Sequence, residues 1–95
     1  MSANVFQPID ALTVNNAEAA LDAGLQAIRD GQLEIDLAGL TAVDSAAVAT
    51  LLEWKRVAHE KGQRLVLRNV PDSVISLARL YGVAEFLDCP QQQAA

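Results

Sequence analysis

Leu33-Glu34-Ile35-Asp36-Leu37-Ala38-Gly39-Leu40-Thr41-Ala42-Val43-Asp44-Ser45 is the stretch on which the fold turns. Its first five residues alternate apolar and acidic side chains, the period-two pattern of a strand with one buried face. Ala38-Gly39-Leu40-Thr41 reads as a connecting loop, and Asp44-Ser45 as the start of a helix. Ala47, Leu51, Trp54 and Ala58 then mark an apolar stripe, widened by Val48 and Leu52. Glu53, Arg56 and Glu60 take the opposite side, and Gly62 is the stop. A strand followed directly by an amphipathic helix is half of an α/β unit.

The same alternation continues on both sides. Upstream, Asn15 with Glu18 three residues later predicts a capping box. Ala17, Leu21, Gly24, Leu25 and Ile28 then share a helical face that ends at Gly31. Downstream, Arg64-Leu65-Val66-Leu67-Arg68 is a strand with charged ends, and Pro71-Asp72-Ser73 opens a third helix. That helix carries Val74, Leu77, Ala78 and Tyr81 on its apolar face, Gly82 closes it, and Val83 to Leu87 is a last short apolar segment. At the amino terminus, Val5 to Ile9 and Ala11 to Val14 each read as an edge strand, with Pro8 interrupting the ladder. Residues 91–95 follow Pro90 and read as a frayed tail, which leaves one domain over 1–90. The expectation is four or five strands and three helices, with parallel neighbours joined by right-handed crossovers.

Composition narrows the function classes. Ninety-five residues suffice for one small core, and 52% hydrophobic with 4% aromatic residues makes that core aliphatic. Twelve acidic against seven basic residues give a formal charge of −5, which phosphate backbones and anionic lipid surfaces would repel. Nucleic acid is therefore not an expected partner. A single cysteine, Cys89, cannot form an internal disulfide, and a single histidine, His59, removes most metal chemistry. Met1 to Asp10 carries no basic region followed by an apolar stretch, and no run approaches the roughly 20 apolar residues of a membrane span. We expect a soluble, cytoplasmic protein without direct membrane insertion.

Among the polar residues the Asp44-Ser45 pair stands out. It delivers a hydroxyl to the positive end of a long helix, where unpaired backbone amides point outward. A phosphate on Ser45 would accept hydrogen bonds there and add up to about two negative charges. The plain alternative is that Ser45 or Asp44 is a helix cap, the commonest use of such residues. Asp36 and Asp44 are two carboxylates near one loop, as acid–base work or a magnesium site would need, but no phosphate loop, lysine or histidine accompanies them. His59, Arg64 and Arg68 read as solvated. Trp54 reads as core, or as a partner anchor if its edge is exposed. No residue is nominated as catalytic or metal-binding, no cofactor is expected, and the chain reads as a non-enzyme.

The quoted stretch resembles the hallmark of the STAS domains, the family of anti-sigma-factor antagonists. In them an acidic strand end leads through a short loop to Asp-Ser or Asp-Thr at a helix start. The likeness runs from about Leu12 to Pro90. Ser76-Leu77-Ala78-Arg79-Leu80-Tyr81-Gly82-Val83 and the Leu51-Leu52 segment resemble the MlaB-type subgroup, cytoplasmic subunits of the Mla lipid-transport ABC system. The resemblance implies an α/β STAS fold: a four- or five-stranded mixed sheet, about three helices mainly on one face, and an abbreviated amino-terminal hairpin. It implies docking on an ABC-transporter ATPase, which would place the protein peripherally at the inner membrane through that partner.

The runner-up is an anti-sigma-factor antagonist that binds a serine-kinase anti-sigma factor and is switched by phosphate on Ser45. Ser45 corresponds to the family's hydroxyl residue, Asp44 to the acid before it, and Asp36 to the strand-end acid. Antagonists typically carry Asp-Ser-Ser-Gly, whereas Ala46 and Ala47 follow Ser45 here. Ala46 and Ala49 would let a partner approach closely, with Glu53 and Arg56 setting charge register at the rim. An uncovered sheet edge leaves room for a homodimer. A small-molecule or nucleotide-binding module has little support, because no phosphate loop or aromatic pocket is visible.

Overall fold

The alternation of Leu33–Leu37 becomes β3 (Glu34–Asp36), with Ile35 fully buried between half-exposed Glu34 and Asp36. The computed structural model describes residues 5–8 and 10–87. Around β3 the chain forms β1 (Val5–Phe6), β2 (Asp10–Leu12), α1 (Ala17–Arg29) and β4 (Leu40–Val43). After these come α2 (Ser45–Glu60), β5 (Val66–Arg68), α3 (Asp72–Leu80) and the single turn α4 (Ala84–Leu87). Cys89, the domain limit at residue 90 and the expected tail over 91–95 lie outside the described residues.

The strands do not form one mixed sheet. They divide into a three-stranded sheet, β1-β3-β5, and a two-stranded one, β2-β4, and every ladder among the described residues is parallel. The division has a local cause on both rails. Pro8, with no N–H to donate, stands between β1 and β2. Opposite it, Leu40 N–H donates to Leu37 C=O (3.1 Å) in a turn that separates β3 from β4. Asp10 adopts φ +70° beside a register shift in the β2–β4 ladder. Leu40 and Thr41 thus belong to a strand rather than the loop expected of them. Nor do the described residues form the expected amino-terminal hairpin, since β1 and β2 pair with β3 and β4 instead of each other.

Register places Phe6, Ile35 and Leu67 side by side on one face of the larger sheet. Ile35 and Leu67 are buried, whereas Val66 and Arg68 on the other face are exposed, so the helices cover one side. The central helix is α2, which packs on α1, α3 and α4. Its predicted stripe holds: Ala47, Leu51, Trp54 and Ala58 are all fully buried. Trp54 is core rather than anchor. Its Nε1–H donates to the Leu21 carbonyl of α1 (3.1 Å), and the Phe6 ring meets it edge-on at 5.9 Å. α1 can lie this close because Gly24 faces the indole, and a Cβ there would overlap the ring.

Two local expectations fail. The capping box does not form: Asn16, not Asn15, holds the cap position of α1, and its side chain makes no cap bond. Its amide is used in the preceding turn, where Oδ1 accepts from Thr13 N–H (2.9 Å) and Nδ2 donates to Ala11 C=O (2.7 Å). Tyr81 does not join the apolar face of α3 either. It sits at the C-cap, where the chain turns away at Gly82 (φ +75°), and is 51% exposed.

Candidate partner-docking site

Asp44 is the N-cap of α2, with extended backbone (φ −142°, ψ −165°) and a carboxylate that serves two elements. Oδ1 accepts from Ala46 N–H at 2.8 Å, the usual cap bond to an otherwise orphaned helix amide. Oδ2 accepts from Val14 N–H at 3.1 Å, tying the loop before α1 to the start of α2. That loop is itself braced by the Asn16 bonds and by Asn15 N–H donating to Thr13 Oγ1 (3.3 Å). The consequence is a solvent-facing Val14, 74% exposed, tethered through its backbone next to the first turn of α2.

Ser45 opens the helix with an exposed side chain. Ala49 is exposed, Glu53 half-buried and Arg56 exposed. At 3.6 residues per turn these positions and half-buried Leu52 fall along one side of α2, so four predicted residues share a surface stripe. Ala46 lies at its margin, half-buried. Toward the far end, Arg56 donates through Nε and Nη2 to Glu53 and through Nη1 to Glu60. These hydrogen bonds hold the Glu53 carboxyl below the usual carboxylate range and raise the Arg56 guanidinium. Open to solvent at Arg56 and Glu60, the trio fixes a charge pattern more than it stabilises the fold.

Asp36 is not part of this constellation. Its Oδ1 accepts from Asn69 Nδ2 (3.0 Å) and Ala38 N–H (2.9 Å), tying the ends of β3 and β5 together. The two carboxylates considered as an acid–base pair thus serve separate turns. The Asn69 bond, then the Ala38 amide and the charge of Arg68, hold the Asp36 carboxyl below its ordinary 3.8. The native chain therefore binds that proton less readily than the unfolded one. The contribution to stability is complete above the ordinary value and fades as pH falls through the lower native one. Asn69→Gly keeps the left-handed backbone at this position (φ +56°) while removing the amide. We expect the Asp36 midpoint, followed by NMR, to rise toward 3.8 in that variant; an unmoved midpoint would refute the Asn69 contribution.

Val14 is the residue that sequence reading missed. Its place in an apparent edge strand hid it, and the one available signal was a β-branched apolar side chain directly before Asn15-Asn16. Among the described residues no cluster of three His, Cys, Asp or Glu side chains could hold a metal, and no helix is long and apolar enough to cross a membrane. The family model described as Mlab, STAS domain, matches residues 10–88. No curated protein matches the chain.

Proposed function

The chain belongs to the MlaB-type STAS-domain family, and we propose from that premise that it is a non-enzymatic interaction subunit docking on the cytoplasmic ATPase of an Mla-type phospholipid-transport ABC system. One observation carries the assignment of the surface. Val14, braced by Asp44, stands exposed beside the small, neutral start of α2. An apolar residue whose backbone is already tethered has less backbone entropy to lose on binding, which suits it to anchor a partner. Ser45 and Ala49 permit close approach there, and the Glu53–Arg56–Glu60 trio supplies a charged rim.

The test is a titration of purified ATPase with the intact protein and with two variants. Ser45→Trp and Val14→Asp are each expected to weaken binding at least tenfold, about 1.4 kcal/mol, while the melting transition stays in place. Unchanged affinity in both variants would overturn this interface.

The exposed Ser45 hydroxyl also suits a second reading, an anti-sigma-factor antagonist switched by phosphate. Asp44 counts against a stabilising phosphate, because its carboxylate already holds the Ala46 amide and would repel the added charge. Phosphorylation of Ser45 by a serine-kinase anti-sigma factor, read as a mass increase and loss of binding, would support that alternative.

A further inference from the structure

A cleft of about 880 Å³ opens at the far end of α2, between its last turns, the Gly62–Leu65 connection and α4. Its chemistry runs against that of the whole molecule. In a chain with twelve acidic and seven basic residues, the described residues that line the cleft include Lys55, Arg56, Arg64 and His59 against one acid, Glu85. Arg56 is held by Glu53 and Glu60, and Lys55 Nζ donates to the Leu65 carbonyl (2.9 Å). Arg64 is exposed and in no ion pair among the described residues. Beside these side chains lie Leu52, Leu65 and Phe86, the last 60% exposed.

We propose that this cleft binds a single-chain carboxylate amphiphile, with its headgroup at Arg64 and its alkyl chain along Leu52, Leu65 and Phe86. The volume lies in the range of about 300–1,000 Å³ that small-molecule sites occupy, more than a bare anion fills. A guanidinium fork matches a carboxylate with two parallel hydrogen bonds, and Glu85 in the lining disfavours a more highly charged headgroup. Gln63 adds adaptability. Its Oε1 is buried without a hydrogen-bond partner among the described residues, so turning the amide toward a ligand breaks no bond to them at that atom.

The experiment is an amide NMR titration of the whole protein with dodecanoate below its micelle concentration. Saturable shifts are expected at Arg64, Leu65 and Phe86, and none at Val14 or Ser45. Arg64→Glu and Phe86→Ser, both at exposed positions, should each weaken the response at least tenfold. Equal shifts with dodecyl maltoside would reduce the site to an apolar patch, and equal shifts with inorganic phosphate to an anion site; either overturns the proposal. So would undiminished binding by Arg64→Glu, a stronger response to dodecyl phosphate, or a response only to an acidic, apolar peptide. The titration needs no partner protein, so its failure leaves the docking surface at Ser45 untouched.

Discussion

Gly24→Ala is expected to lower stability by about 2 kcal/mol, although alanine is the better helix former by about 1 kcal/mol. The new methyl would occupy the space of the Trp54 indole, and Trp54 cannot easily retreat. It is fully buried, bonded through Nε1 to the Leu21 carbonyl and flanked by the Phe6 ring. Forcing a methyl into a packed core costs about 1–3 kcal/mol. Displacing the indole would also break its hydrogen bond, for about 1 kcal/mol more. For a domain of this size the net loss lowers the melting temperature by about 8–15 °C. A double variant with Trp54→Leu should be less destabilised than the two single changes summed, because the smaller side chain yields the space. A raised melting temperature in Gly24→Ala would refute the α1–α2 contact.

The second large effect concerns Asp44. Asp44→Ala removes the cap bond to Ala46 and the tether to Val14 together, and we expect a loss of about 2 kcal/mol, cap and tether contributing about 1 kcal/mol each. Asp44→Asn separates them. One amide oxygen can still cap the helix, but the NH2 then faces the Val14 N–H, donor against donor. Asp44→Asn should therefore retain most of the cap contribution while freeing the Val14 loop. Partner affinity should fall in both variants, in Asp44→Asn out of proportion to its small loss of stability. Chemical denaturation measures one quantity and titration with the ATPase the other. Full affinity in Asp44→Asn would show that the position of Val14 does not matter to docking.

Much of the architecture was legible because it follows from local periodicity. The stripe Ala47, Leu51, Trp54 and Ala58 was readable at 3.6-residue spacing, and the Leu33–Leu37 alternation at a spacing of two. Gly31, Gly62 and Gly82 mark helix ends at which the backbone takes positive φ. The candidate stripe Ser45, Ala49, Glu53 and Arg56 could be placed on one side of α2 for the same reason. Misreadings fell where a side chain serves a distant or preceding turn instead of its own element. Asn16 braces Thr13 and Ala11, Asp36 reaches Asn69, and Leu40–Val43 becomes a strand only because Asp10–Leu12 lies alongside.

The sequence by itself determined α1, β3, α2, β5 and α3 in their order, the apolar face of α2, a helix start at Asp44-Ser45 and the family resemblance, since each depends on neighbours a few residues apart. Only the tertiary structure decided the division into two sheets, which needs the Pro8 break and the Leu37–Leu40 turn to meet across the β1–β3 and β2–β4 ladders. It likewise decided the exposure of Val14 beside Ser45 and the gathering of Arg64 and Phe86 around one cleft. The physical reason is common to all three: partners twenty or more residues apart are brought together by packing, and no local pattern encodes that distance.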